Sequence, residues 1–149
     1  MQWSTLVATA VGTLLGVLAT LAADHVRWRR DRADRDRDTL RTAFTAYLTA
    51  LSAARDAFAR AEPAPERVGK GHVAISEHGV YAAQQHLELV AQSALVDKAG
   101  RATLSVLDFH DAVVAGHTPN SAEYLRAWRA VRQTRAALIE EMRKTLRRP

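Results

Sequence analysis

Six histidines are among the side chains of this sequence that could bind a metal ion or transfer a proton. A metal site on helices pairs a histidine with a second ligand three or four residues away and adds carboxylates. The sequence has no His-x3-His or Glu-x2-His pair, and the polar residues of Asp108-Phe-His-Asp111 fall on different faces of one turn. We therefore expect no metal ion. The histidines interpreted as structural or solvated are His25, His72, His78, His86, His110 and His117.

No combination of nucleophile and base is recognisable in the sequence. Cysteine is absent, which removes a thiolate nucleophile, thiolate metal ligands and disulfides. There is no glycine-rich phosphate loop, and no serine has the local sequence of a nucleophile turn. We therefore expect a protein without catalytic residues or a cofactor, and not an enzyme.

One charged residue interrupts an apolar helical stripe near the C-terminus. Arg135 lies between Val131 and Leu138 on this stripe. A buried arginine must be paired, and Asp108 or Asp111 on the preceding helix would be its partner. The alternative, which we favour, is a boundary position from which the guanidinium reaches solvent.

The elements that must position these residues begin with a segment free of charged side chains, from Met1 to Ala23. Its length matches the ~20 residues that a helix needs to cross the ~30 Å hydrocarbon layer. A basic cluster follows the segment and none precedes it, which disfavours a cleaved signal peptide and predicts an external N-terminus. We therefore predict a transmembrane helix at 1–23, with a signal peptide or a soluble helix as the alternatives.

The flanks of this segment are typical of membrane interfaces. Trp3 and Trp28 are separated by ~38 Å if the segment is helical, which is close to the distance between the two headgroup zones. The residues predicted to contact lipid headgroups are Trp3, Arg27, Trp28, Arg29 and Arg30.

Small residues occupy one face of the predicted span, opposite a face of valine and leucine. Small side chains let two helix backbones approach closely in lipid. We therefore predict self-association through this face, with a solitary span facing lipid as the alternative. The packing residues are Ala8, Gly12, Gly16, Ala19 and Ala23.

A charged helical stem at 24–39 and a cytoplasmic helical bundle at 40–149 follow the span. The stem is rich in both arginine and aspartate, which suits a solvated helix. Nothing forces a break between Thr5 and Ala61, so we predict one helix of ~85 Å, ended by the prolines of Glu62-Pro-Ala-Pro-Glu66. Its head portion carries a heptad of core residues: Leu40, Phe44, Tyr47, Leu51, Ala54, Phe58 and Ala61.

The rest of the segment 40–149 is predicted to form further helices of an antiparallel three- or four-helix bundle. The region 72–115 is one long helix or two, and we favour a break near Ser93. Ser76 is a candidate cap there, and Asn120 or Ser121 is the candidate cap of the last helix. The predicted buried stripes of these helices are Val80, Ala83, Leu87, Val90 and Ala94; Leu104, Leu107 and Val114; and Leu125, Trp128, Val131, Leu138, Ile139, Met142 and Leu146.

This layout resembles that of a family of small single-span helical membrane proteins common in high-GC actinobacteria. The resemblance runs from "WSTLVATAVGTLLGVLATLAADHVRWRRDRADRDRDTLRTAFTAYLTAL" to the final "AEYLRAWRAVRQTRAALIEEMRKTL" and lies in composition and order of segments. It implies an anchored all-α protein. The function of that family is unknown, so the resemblance implies no catalytic or cofactor-binding residue.

These observations favour a non-enzymatic scaffold or adaptor, anchored in the bilayer as a homo-oligomer, with its head open to a cytoplasmic protein partner. One alternative is a membrane effector or pore component, but the span carries no charged residue that would line a pathway. A second alternative is a soluble nucleic-acid-binding protein, suggested by the net charge of +5. The interspersed aspartates of the stem repel phosphate, which makes nucleic acid an unfavourable partner.

Overall fold

A computed structural model describes residues 3–147 of the chain, except for the side chains of residues 3–19, 22, 23, 26 and 33. Within residues 3–147 the structure is all-helical, which confirms the predicted class. The elements are α1 (Trp3–Ala59), a 3₁₀ turn (Pro65–Arg67), α2 (Gly71–Glu77), α3 (Val80–Val90), α4 (Ser93–Val114) and α5 (Ala122–Arg147).

The first helix is uninterrupted from Trp3 to Ala59, as predicted, and the proline-rich segment after it prevents its continuation. Internal contacts divide the chain into two units, one extending to Asp38 and one beginning at Thr39. The second unit, which we call the head, contains the last part of α1 and all later elements.

No helix in the part of the chain that the structure describes is long and apolar enough to cross a membrane. The predicted transmembrane helix at 1–23 falls mainly on residues whose side chains lie outside that part. The span therefore stays a prediction.

The heptad of α1 forms one wall of the head's core. Five of its seven residues are buried, and the two end residues, Leu40 and Ala61, are half-buried against the same core. The buried five are Phe44, Tyr47, Leu51, Ala54 and Phe58. The predicted periodicity of this helix is confirmed.

The region 72–115 breaks where the sequence favoured a break. Ala91 and Gln92 adopt extended backbone conformations, and α4 starts at Ser93. A second break at Gly79, whose φ of 70° suits glycine, separates α2 from α3. Ser76 lies inside α2, where its hydroxyl donates to the Val73 carbonyl, so its predicted role as a cap was wrong.

Successive segments of the head run antiparallel. Residues that increase along α4 meet residues that decrease along α5, because Lys98 pairs with Glu141 whereas Phe109 packs on Tyr124. The broken segment α2–α3 carries the chain back after α1. Consequently α1 and α4 run in the same direction, and α4 packs against every other segment of the head.

The predicted buried stripe of α4 was wrong at one residue. Leu104 is 60 % exposed, whereas Phe109 on the opposite side is fully buried. The buried face of α4 includes Thr103, Ser105 and His110, so its boundary is not marked by a change from apolar to polar residues. Ala94 and Leu125 are likewise exposed, so the predicted stripes were also wrong at these two residues.

The last helix begins after Ser121, whose hydroxyl accepts a hydrogen bond from the Tyr124 amide at 3.3 Å. Ser121 is therefore the cap, rather than Asn120. Glu123 therefore lies two residues after the cap rather than the three that a capping box requires, and its carboxylate lies 3.9 Å from His117 Nδ1.

We expect opposite effects from two glycine-to-alanine substitutions. A Cβ at Gly71 would lie 2.9 Å from His110 Nδ1 and 3.0 Å from Leu107 Cδ2, so Gly71→Ala should destabilise the head by about 1–3 kcal/mol. A Cβ at Gly100, inside α4, would meet open space, so Gly100→Ala should stabilise it by about 0.5–1 kcal/mol. Urea unfolding followed by circular dichroism measures both, and equal shifts would contradict the packing described at Gly71.

Candidate functional site

The head carries an arginine-lined groove between α1 and α5, with a cavity volume of about 450 Å³. We call it the α1–α5 groove. Arg55 lines it from α1, and the remaining lining residues come from α5: Trp128, Val131, Arg132, Arg135, Ala136, Ile139 and Arg143.

The spacing of α5 produces this groove. Trp128, Arg132, Arg135, Ile139 and Arg143 follow one another at intervals of three or four residues, so they share one face of the helix. The adjoining face packs into the core through its own apolar residues, which include Leu138 and Met142. The groove thus lies along the boundary between the buried face and the exposed face of α5.

Trp128 is held from two sides. Its ring lies 5.4 Å from the buried ring of Phe109, and the Arg55 guanidinium lies over it at 5.8 Å. The Asp56 carboxylate accepts hydrogen bonds from Arg55 Nε at 2.9 Å and from Nη2 at 2.6 Å. These contacts fix both the indole and one cationic group at the end of the groove.

Arg135 occupies a half-buried boundary position, and its Nε is fully buried without a hydrogen-bond partner. The predicted alternative, a buried pair with Asp108 or Asp111, was wrong. Asp111 instead accepts a hydrogen bond from the Gly69 amide, and Asp108 is exposed.

The groove has an excess of positive charge. Among the described residues, no ion pair involves Arg132, Arg135 or Arg143, whereas Arg55 is paired with Asp56. An apolar floor between unpaired guanidinium groups favours an occupant that is both apolar and anionic.

A second polar cluster, at the end of the head where α1 stops, has a structural role. The Asp111 carboxylate accepts from the Gly69 amide at 3.0 Å and lies 3.0 Å from His110 Nδ1. The buried His110 ring packs edge-on against Phe58 at 4.7 Å. In the part of the chain that the structure describes, no three histidine, aspartate or glutamate residues are placed to hold a metal ion.

A buried polar network links α1, α4 and α3, and the sequence analysis missed it. The Tyr47 hydroxyl donates to the Ala99 carbonyl at 2.7 Å and accepts from Thr103 Oγ1 at 2.7 Å, and Thr103 shares the same proton with Gln84 Oε1 at 3.0 Å. The available signal was a tyrosine at a core heptad position, since a buried hydroxyl needs a partner. Burial raises the pKa of Tyr47 to about 12, and the hydrogen bond with Thr103 opposes part of that rise.

The predicted headgroup residues that the structure describes are exposed. Trp28 is 53 % exposed, with the Arg32 guanidinium over its ring at 5.4 Å and the His25 ring at 6.5 Å. Arg27, Arg29 and Arg30 are also exposed. The side chains of Trp3 and of the five packing residues, Ala8, Gly12, Gly16, Ala19 and Ala23, lie outside the described residues.

Comparison with protein-family models, with curated proteins and with solved structures finds no match to this chain.

The Tyr47 network predicts a stability loss at high pH. The hydroxyl has a pKa of about 12 in the folded protein and about 10 when unfolded, so the network contributes fully below pH 10 and its contribution disappears as the pH rises to 12. We expect the free energy of unfolding to fall by about 2–3 kcal/mol over this interval. Urea unfolding at several pH values measures it, and Tyr47→Phe should have a shallower pH dependence. The same slope in both proteins would contradict the assignment.

Proposed function

We propose that this protein is a non-enzymatic adaptor that is anchored in the cell membrane by its N-terminal helix and presents its helical head in the cytoplasm. The observation that carries the proposal is the uncharged stretch from Met1 to Ala23, followed within seven residues by Arg27, Arg29 and Arg30. This order is typical of a span whose C-terminal side is cytoplasmic.

The contacts of Trp28 support a position at the membrane interface. A half-exposed indole beside several exposed arginines combines an apolar ring with cationic groups, which suits the headgroup layer of an anionic leaflet.

We further propose that the anchor self-associates through Ala8, Gly12, Gly16, Ala19 and Ala23. The support is the periodicity of these small residues, which places them together on one helix face. The adaptor role is supported by the head itself, whose α1–α5 groove is a cationic and partly apolar surface of the kind that binds another protein.

The anchor is tested by deletion. Removing residues 1–23 should move the protein from the membrane fraction to the soluble fraction, because the only long uncharged segment is lost. Carbonate-washed membranes from cells expressing the full chain and the truncated chain give the comparison. A truncated protein that still pellets with washed membranes would contradict the assignment of residues 1–23 as the anchor.

Self-association is tested by widening the small-residue face. Gly12→Leu combined with Gly16→Leu should convert an oligomer in mild detergent into a monomer, because the larger side chains separate the backbones. Light scattering during size-exclusion chromatography measures the mass of the protein in the micelle. Val7→Leu combined with Val11→Leu, on the opposite face, is the matched control and should retain the oligomer. An oligomer unaffected by the glycine substitutions would refute the proposed interface.

A further inference from the structure

We propose that the α1–α5 groove binds an acidic amphipathic helix of a partner protein. This inference rests on the proposed adaptor function and names the chemistry of its partner. Three observations carry it: the length of the groove, its apolar floor between arginines, and the lack of acidic partners for those arginines.

The length of the groove suits a helix better than a small anion. The row from Trp128 to Arg143 extends about 22 Å along α5, at 1.5 Å per residue. A single phosphate or carboxylate would contact one arginine or two neighbouring ones. A helix of about four turns would contact the whole row on α5 and reach Arg55 of α1 at one end.

The chemistry of the floor also favours an amphipathic occupant. Val131 is buried at the base of the groove and Ile139 is half-buried, while Trp128 closes one end. An occupant with a row of apolar side chains would pack on this floor, and carboxylates beside that row would reach Arg132 and Arg143. The arginines of the groove are interrupted by Ala136 and Ile139, which provide no charge to a phosphate backbone.

A second copy of this chain is an unfavourable occupant. A two-fold interface would place the same groove of both copies face to face. The unpaired Arg132, Arg135 and Arg143 of one copy would then meet the same arginines of the other, and like charges brought together in an interface oppose binding. A two-fold interface through this groove is therefore disfavoured, and we assign the occupant to a different protein with carboxylates on its helix.

The experiment measures binding of a synthetic helical peptide to the full chain in detergent. The probe has about 18 residues, with leucine along one face, glutamate on both sides of that face, and a fluorescent label read by anisotropy. We expect saturable binding that weakens as salt is added, because the contacts at the rim are ionic.

The decisive variant reverses two groove charges. Arg132→Glu combined with Arg143→Glu should weaken binding of the acidic peptide at least about tenfold. Both residues are exposed, so the fold should be retained, which circular dichroism checks. Arg101→Glu combined with Arg126→Glu makes the same change of net charge at exposed positions outside the groove, and this control should bind like the parent protein.

A charge-swapped peptide keeps the test valid if the groove variant is partly destabilised. The same peptide with lysine in place of glutamate should bind the Arg132→Glu, Arg143→Glu protein more tightly than it binds the parent. A variant with a damaged fold would bind neither peptide, whereas a folded variant with reversed groove charges would bind the lysine peptide in preference to the glutamate peptide.

Several results would overturn the proposal. One is no binding of the acidic peptide to the parent protein, and another is equal weakening in the groove variant and the control. A third is a single-stranded oligonucleotide that displaces the peptide and depends on Arg132 and Arg143 in the same way, since this would make the groove a general polyanion site. If any of these results is obtained while the deletion and detergent experiments support the anchor and the oligomer, only the assignment of the groove is refuted. Peptide binding by a protein that is not anchored would instead refute the proposed function.

Discussion

The arrangement of the head depends on one buried hydroxyl. Tyr47 is fully buried on the core face of α1, and its hydroxyl finds its acceptor on α4, at the Ala99 carbonyl. A buried hydroxyl without a partner costs about 1–3 kcal/mol, so this contact favours one register of α1 against α4 over the neighbouring ones. Because Thr103 Oγ1 also reaches Gln84, the same network fixes α3. Apolar contacts alone, which are not directional, would specify these positions less sharply.

The central position of α4 explains why it buries polar as well as apolar residues. A helix with neighbours on several sides has a wide buried face, and that face includes Ser105, whose hydroxyl donates to the Ala102 carbonyl and contacts Thr134 Oγ1 of α5 at 2.8 Å. The Lys98–Glu141 pair joins the same two helices nearer the start of α4. The polar contacts thus form layers that align α5 as well as α1, while the hydrophobic residues between them provide most of the driving force.

What the sequence could predict follows from this difference between helices. The head part of α1 buries one narrow stripe, so its seven-residue repeat and the prolines after it predicted both its core face and its end. On α4 the rule fails, because Leu104 continues an apolar pattern on the exposed side while Thr103 is buried through hydrogen bonds to other helices. Such partners are distant in sequence, and a periodicity argument contains no information about them. The groove could be predicted from the sequence only in part. Arg135 was recognised as an interruption of the apolar stripe, but the proximity of Arg55 and Trp128 arises from the packing of α1 against α5.

Arg135 links the stability of the head to the groove. It lies between the buried Val131 and Leu138, where an aliphatic side chain would continue the apolar stripe without leaving a polar atom unsatisfied. Its Nε has no partner, so the arginine stabilises the fold less than such a side chain would. At this boundary Arg135 lines both a small cavity beside Leu51 and Val106 and the groove beside Arg132. The unsatisfied Nε therefore lowers the free energy of unfolding of the head, while the same residue holds a positive charge at a defined place in the groove, which the proposed binding of an acidic helix would use.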